Sequence, residues 1–213
     1  MRTLIASLLS PPHCSGCGAP GPEWCPVCAR TLPSAHWIDV GLRTLVLFPF
    51  AGPVRRTIID WKEEQRRAAR LRIEAWFAQG LAPLLRAAPT ALVLPVPSSR
   101  TAERSRGARV LSEALDAVLP AGRLSTQLIA ARPRRDQAGL NREQRARNLE
   151  GSMRWEGGPE RPLIIVDDVV TSGATLREAA RAVRVRTAAP VCAFALASRE
   201  SQDPVAHASA GLC

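Results

Sequence analysis

The pattern of apolar and polar positions along the chain predicts an α/β protein. Four short apolar runs lack alternation, which is typical of strands buried on both faces of a parallel sheet. These runs lie at residues 44–51, 91–97, 163–166 and 190–197. Apolar residues recur with helical spacing over 54–66, 68–88 and 110–119. This succession of strands and helices predicts an α/β domain built on a parallel sheet.

The stretch after the third run carries the clearest chemistry. Asp167 and Asp168 end the predicted strand, and residues 171–175, Thr-Ser-Gly-Ala-Thr, lead into a predicted helix. Glycine, hydroxyl groups and a helix N-terminus at the carboxyl end of a strand favour a bound phosphate. Carboxylates suit sugar hydroxyls or a hard cation such as Mg²⁺. The stretch therefore predicts a sugar-phosphate site, and the alternative is a plain strand-to-helix turn with a hydroxyl cap.

The run at 91–97 is followed by a polar and basic loop and then by a helix, which repeats the same architecture. Loops that follow parallel strands meet at one edge of a sheet, so the basic loop 98–107 is expected near the acidic pair. Its charged members include Arg100, Arg104 and Arg106. The alternative is a solvated arginine-rich loop without a ligand.

Residues 132–149 form the most basic segment of the chain. Its arginines suit two partners, a departing pyrophosphate at the site or a nucleic-acid backbone. The first hypothesis makes the segment a flap over the site, and the second makes it a nucleic-acid arm. Residues 151–155 predict a short strand that returns to the sheet.

Four cysteines near the start of the sequence predict a metal site. They form two Cys-x-x-Cys pairs separated by seven residues: Cys14 with Cys17, and Cys25 with Cys28. Four thiolates complete a tetrahedral zinc shell, and a closed shell is structural rather than catalytic. Disulfides explain the spacing less well in a reducing compartment.

Composition fits a folded protein with an anionic partner. The chain has 213 residues, 46% of them hydrophobic, and a formal net charge of +10. Lys62 is the single lysine, and arginine supplies the rest of the positive charge. This bias suits phosphate recognition, and it is equally the mark of a GC-rich genome. No run has transmembrane length, and Leu4–Leu9 is too short for a signal-peptide core, so a cytoplasmic protein is predicted.

The stretch 163–176 resembles the phosphoribosyl-pyrophosphate (PRPP) binding motif of type I phosphoribosyltransferases. The resemblance implies that Asp167 and Asp168 face the ribose hydroxyls and that PRPP is bound with Mg²⁺. It implies a 5′-phosphate held by Thr171, Ser172, Gly173, Ala174 and Thr175. The strand 91–97, Ala-Leu-Val-Leu-Pro-Val-Pro, resembles the strand before the pyrophosphate-side loop of the same enzymes.

The combination of motifs is similar to the narrower competence protein F (ComF) family, which is associated with bacterial DNA uptake. The matching residues are Arg106-Gly107, Gln137, Gly139-Leu140, Arg142, Arg145 and Asn148-Leu149, beside the four cysteines and 163–176. The implied pyrophosphate-side residues are Ser98, Arg100, Arg106, Arg142 and Arg145. The implied organisation is a zinc ribbon at 1–40, a type I phosphoribosyltransferase-like parallel-sheet domain at 41–200, and a flexible tail at 201–213.

Three functions are compatible with these residues. In an enzyme, a nucleophile would attack the anomeric carbon of PRPP while Lys62 or the 132–147 arginines stabilise the departing pyrophosphate. In a binding protein, the site would sense PRPP while the chain contacts single-stranded DNA or a competence-machinery protein such as a helicase. The third alternative is an α/β domain with a vestigial site.

Overall fold

The computed structural model describes residues 13–30, 35–97, 110–132, 149–158 and 160–199. The predicted pyrophosphate-side residues all lie outside the described residues, as does the predicted tail 201–213. They are Ser98, Arg100, Arg106, Arg142 and Arg145. No helix in the described ranges is long and apolar enough to cross a membrane.

Helices and strands alternate along the described chain. The helices are α1 Pro26–Ala29, α2 Gly52–Lys62, α3 Arg67–Ala87, α4 Val110–Asp116 and α5 Ala174–Arg184. The strands are β1 His36–Asp39, β2 Arg43–Pro49, β3 Leu92–Pro95, β4 Leu128–Ala130, β5 Met153–Trp155, β6 Leu163–Val170 and β7 Val191–Ser198. The prediction of a mixed α/β protein is confirmed.

Five strands form the central sheet, in the order β1-β2-β7-β6-β3. The last four of these are mutually parallel, and β1 is an antiparallel edge strand beside β2. Successive side chains of a strand face opposite sides of a sheet. Every residue of β7 is buried, so both faces of the sheet are covered at its centre. The predicted parallel arrangement is confirmed for these four strands, whereas the antiparallel β1 was not predicted.

Aromatic side chains join the helices to the sheet. Helix α3 packs on β2 and β7, where the Trp76 ring lies 4.7 Å from the Phe48 ring. Phe77 of the same helix lies 6.1 Å from Phe194 of β7 and 6.2 Å from Trp61 of α2, measured between ring centroids. Trp61 and Trp76 are buried and belong to the hydrophobic core.

Strand β6 is longer than predicted, because Asp167 and Asp168 lie inside it rather than at its end. Val170 still pairs with Ser198 of β7. On the other side of β6, strand β3 ends at Pro95. The last backbone hydrogen bond between the two segments runs from Val96 N–H to the Val166 carbonyl at 2.9 Å. Prolines limit strand pairing. Among the described residues, β6 is therefore bordered by a strand on one side only at the acidic pair.

The prediction that residues 151–155 return to the central sheet is wrong. Strand β5 pairs antiparallel with β4, and the two form a separate two-stranded sheet. This hairpin packs on α5, where the Glu178 carboxylate accepts a hydrogen bond from Met153 N–H at 3.0 Å. The arginine segment is thus the connection within a hairpin that is attached to α5.

Strand β1 lies within the range 1–40 that the sequence assigns to the zinc ribbon. It nevertheless pairs with β2 from His36 opposite Val46 to Asp39 opposite Arg43. Residues 36–39 are therefore part of the central sheet. The cysteine segment proper occupies residues 13–30 of the described chain.

Candidate functional site

The acidic pair is buried at the carboxyl end of β6 and contacts the chain's single lysine. Lys62 is the last residue of α2, and its Nζ lies 2.5 Å from Asp168 Oδ2. Asp168 N–H donates to Asp167 Oδ1 at 2.9 Å. The side chains of Lys62 and Asp168 are 31% and 9% exposed, so their ion pair is largely shielded from water. The structure thus brings together the three residues that the sequence singled out as catalytic.

The two carboxyl groups differ in charge. Burial, reinforced by the negative charge of Asp168, raises the pKa of Asp167 well above its ordinary value. Burial acts on Asp168 in the same direction, but the Lys62 ammonium and hydrogen bonds with Asp167 outweigh it and lower the pKa of Asp168. At a pH between the lowered pKa of Asp168 and the raised pKa of Asp167, the pair therefore holds a single negative charge, which Lys62 balances. Such a pair can both donate to and accept from hydroxyl groups of a ligand.

The loop between β6 and α5 presents backbone donors beside this pair. Gly173 caps α5 in the left-handed conformation, with φ +68°, and makes no side-chain cap hydrogen bond. The first N–H groups of a helix have no partner within the helix and carry its positive dipole end. Thr171 is exposed, and Ser172 and Thr175 are half-buried. These three residues therefore add hydroxyl groups near the surface to the backbone donors.

A turn from the other end of the sheet supports this loop. Arg177 of α5 donates from Nη1 to the Val40 carbonyl at 2.8 Å and to the Ser172 carbonyl at 2.9 Å. Val40 belongs to the turn between β1 and β2. The sequence pattern did not identify Arg177, since an arginine on a helix resembles any solvated charge, and its partner Val40 lies 137 positions away.

The four cysteines form a compact group that could bind a metal ion such as zinc. Their ligand atoms all lie within 4.8 Å of one another, and Cys17 Sγ lies 3.8 Å from Cys25 Sγ. A tetrahedral site with Zn–S bonds of about 2.3 Å has S···S edges of about 3.8 Å. Backbone N–H groups of Gly16 and Cys25 each donate to Cys14 Sγ at 3.3 Å. Donors of this kind stabilise a thiolate.

The cysteine environments favour a negative charge at Cys14. Burial acts to raise the pKa of this thiol, but the backbone donors, led by Cys25 N–H, lower it to about 6. Burial and the neighbouring thiols raise the pKa of Cys28 above its ordinary value. A group that already holds one thiolate near neutral pH fits a divalent cation, which binds cysteine in the deprotonated form.

The cysteine segment is docked on helices α2 and α3. The Thr57 hydroxyl of α2 donates to the Pro53 carbonyl at 2.8 Å and also lies 3.3 Å from the Ser15 carbonyl. Arg66 donates to the His13 carbonyl at 3.3 Å. The rings of Trp24 and Trp76 meet edge to face with their centroids 5.6 Å apart. The segment therefore rests on the same helix that ends at Lys62.

Comparison with protein-family models and with curated proteins finds no match to this sequence. The roles of the site residues are therefore inferred from their chemistry and positions. The described residues unite Asp167, Asp168, Lys62 and the loop 171–175 at one edge of the sheet. The cysteine group lies against α2 and α3 instead.

Proposed function

We propose that the chain binds PRPP, or a closely related sugar phosphate, at the carboxyl end of β6. The observation that carries the proposal is a pair of buried carboxyl groups in β6, followed after two valines by a glycine loop and an uncapped helix. Carboxylates repel phosphate but accept from sugar hydroxyls, whereas helix N–H groups bind phosphate. A ligand that needs both carries a diol and a phosphate together.

The residue roles follow from this chemistry. The 5′-phosphate would accept hydrogen bonds from the first N–H groups of α5 and from the hydroxyls of Thr171, Ser172 and Thr175. The ribose hydroxyls would face Asp167 and Asp168. Gly173 and Ala174 add backbone donors without bulky side chains, so phosphate oxygens can approach the main chain closely.

Magnesium fits this site chiefly as part of the ligand. Lys62 already neutralises the charge of Asp168, so the pair is not a dedicated cage for a divalent cation. Mg²⁺ usually binds one or two carboxylates together with substrate phosphates. Asp167 and Asp168 are the residues that would contact it, and the ion would neutralise pyrophosphate charge.

The reaction that suits this site is phosphoribosyl transfer. An acceptor nucleophile would form a bond to the anomeric carbon as the carbon–oxygen bond to pyrophosphate breaks, and pyrophosphate would leave with the electron pair. The chain would contribute position and electrostatic stabilisation, without a protein nucleophile. Lys62 would stabilise the negative charge of the departing pyrophosphate, together with the arginines of 98–107 and 132–147. Membership of the ComF family stays part of this proposal.

A structural zinc ion at Cys14, Cys17, Cys25 and Cys28 completes the proposal. The S···S distance of 3.8 Å between Cys17 and Cys25 and the backbone donors to sulfur support it. Four cysteines close a zinc shell, which leaves no open position for catalysis.

The decisive experiment is calorimetric titration with PRPP and Mg²⁺. The wild-type chain is expected to bind, and the double variant Asp167→Asn with Asp168→Asn is expected to lose binding. Asp116→Asn removes an exposed carboxylate at the end of α4 and serves as the matched control. Unchanged affinity in the double variant would refute the proposed site.

Turnover and DNA contact are separated by two further assays. Pyrophosphate release in a screen of amines and nucleobases indicates transfer, whereas binding without release indicates a sensor or adaptor. The net charge of +10 favours a polyanion as the second partner of an adaptor. Single-stranded DNA would then protect residues 132–147 from protease, with an affinity that falls steeply as salt rises. Protection by PRPP and Mg²⁺ instead would identify this segment as a flap.

A further inference from the structure

The turn between β1 and β2 and the loop after β6 hold one another through reciprocal contacts. A side chain at Gly173 would overlap Val40, and a side chain at Gly41 would overlap the Cγ and Cδ atoms of Arg177. Both glycines have left-handed backbones, with φ +68° at Gly173 and +80° at Gly41. Residues with a Cβ rarely adopt this conformation. Each side thus provides the glycine against which the other side packs.

Arg177 joins the two sides with a single guanidinium group. Its Nη1 donates to the carbonyl of Val40 in the turn and to the carbonyl of Ser172 in the loop. The turn is itself fixed, because Asp39 Oδ1 accepts from Gly41 N–H at 2.8 Å. A guanidinium is always charged and planar, so it can hold two carbonyls in a defined arrangement.

This contact sets the direction of a backbone N–H group that would donate a hydrogen bond to phosphate. The peptide group between Ser172 and Gly173 is planar and trans, so its carbonyl and its N–H point in opposite directions. Because Arg177 binds the carbonyl, the Gly173 N–H is directed away from Arg177. The orientation of the Gly173 N–H therefore depends on Arg177, which the turn also binds.

We propose that Arg177 is a positioning residue, which orients the loop 171–175 for phosphate by clasping it to residues 39–42. The proposal rests on the proposed function, since it concerns the phosphate half of that site. Arg177 acts through the backbone of Ser172 and Gly173. The Asp167–Asp168 half of the site is independent of this clasp.

The test compares two ligands and four variants. Arg177→Ala is expected to weaken binding of ribose 5-phosphate about tenfold, the loss typical of a charge-assisted hydrogen bond. The affinity for inorganic pyrophosphate is expected to stay unchanged. Arg177→Lys keeps a charged donor and should recover part of the loss. Gly41→Ala displaces Arg177 from the opposite side and should reproduce the selective loss. Arg184→Ala removes an exposed arginine from the same helix and should change neither affinity.

A second readout does not depend on a ligand. Amide hydrogen exchange at residues 172–175 should become faster in Arg177→Ala and Gly41→Ala, but not in Arg184→Ala. An equal loss of both ligands, or an unchanged affinity for ribose 5-phosphate, would overturn the positioning role. If the wild-type chain binds neither PRPP nor ribose 5-phosphate, the proposed function fails. The exchange rates alone then test whether Arg177 holds the loop. Unchanged exchange in Arg177→Ala would overturn the positioning role.

Discussion

At the scale of single residues, the two adjacent aspartates are chemically unlike. Burial keeps Asp167 protonated above its ordinary pKa, whereas Lys62 keeps Asp168 ionised. Two carboxyl groups this close share their titration, so the pair is expected to act as one acid and one base. Substituting Asp167 and substituting Asp168 should therefore have different effects on ligand binding.

Asp168→Asn is expected to weaken PRPP–Mg²⁺ binding about ten- to a hundredfold, because it removes the charged acceptor of the pair. Asp167→Asn should weaken it less than about tenfold, because an amide, like a protonated carboxyl, carries both a donor and an acceptor. Calorimetry at a pH between the two pKa values measures both losses, with Asp116→Asn as the control. Equal losses in the two variants would contradict the assignment of charge.

The contributions of the two aspartates to the stability of the folded chain should depend on pH in opposite directions. The unfolded chain releases the Asp167 proton above its ordinary pKa of 3.8, while the folded chain retains it. The stabilising contribution of Asp167 is thus present below that pH and lost as pH rises toward its folded pKa. That of Asp168 is present above pH 3.8 and lost as pH falls through its lowered folded pKa.

Urea denaturation across pH checks this expectation. Relative to wild type, Asp167→Asn should gain unfolding free energy as pH rises above 3.8, by at most about 1.36 kcal/mol per pH unit. Asp168→Asn should show no such gain. A pH-independent difference between wild type and Asp167→Asn would contradict the raised pKa.

At the scale of elements, α5 holds the β4–β5 hairpin through one buried carboxylate. Glu178 accepts from Met153 N–H and pairs with Arg181 at 2.7 Å, and Arg181 also donates to the Met153 carbonyl at 3.1 Å. Burial acts to raise the pKa of Glu178, but its bonds with Arg181 and Met153 lower it. The hairpin that carries the arginine segment is thereby anchored to the helix that follows the loop 171–175.

Glu178→Ala is expected to lower the unfolding free energy by about 1–3 kcal/mol, because it leaves a buried backbone donor without its acceptor. Chemical denaturation measures the loss, and faster amide exchange at Met153 locates it in the hairpin. Glu156→Gln is the control, since its exposed pair with Arg154 is worth less than about 1 kcal/mol. A similar loss in both variants would show that Glu178 has no special role.

The sequence predicts those elements whose signal is local. The runs at 91–97 and 190–197 are confirmed as strands because continuous burial appears directly as apolar residues. The last residues of β6 and the partner of β5 depend on pairing with distant strands, which apolar periodicity does not encode. The same holds in the site. Asp168 and the loop were identifiable from their chemistry, whereas the Lys62–Asp168 contact and the role of Arg177 require the folded chain.

At the scale of the whole molecule, α2 connects the cysteine segment to the acidic pair. One part of the helix binds the segment through Thr57, and its last residue contacts Asp168. Just beyond α2, Arg66 pairs with buried Asp60 at 3.0 Å and also binds the His13 carbonyl. The cysteine segment is therefore expected to influence the site.

Loss of the proposed zinc ion should destabilise more than the cysteine segment. Cys14→Ser is expected to abolish binding of about one zinc per chain, to lower the unfolding free energy by more than about 2 kcal/mol, and to weaken PRPP binding. Metal analysis, denaturation and amide exchange over α2 measure these effects. Cys213→Ser, which also removes one thiol, is the control. Unchanged exchange in α2 would show that the segment folds independently.

The arginine bias of the chain also has a practical consequence at Lys62. With a single lysine among its 213 residues, the chain carries one side-chain ε-amine, and that amine lies against Asp168. An acylating reagent specific for lysine would therefore tag the candidate site without any engineered handle. A lysine-specific protease would cut at one place, after the last residue of α2, and divide the cysteine segment from the strand that bears the acidic pair.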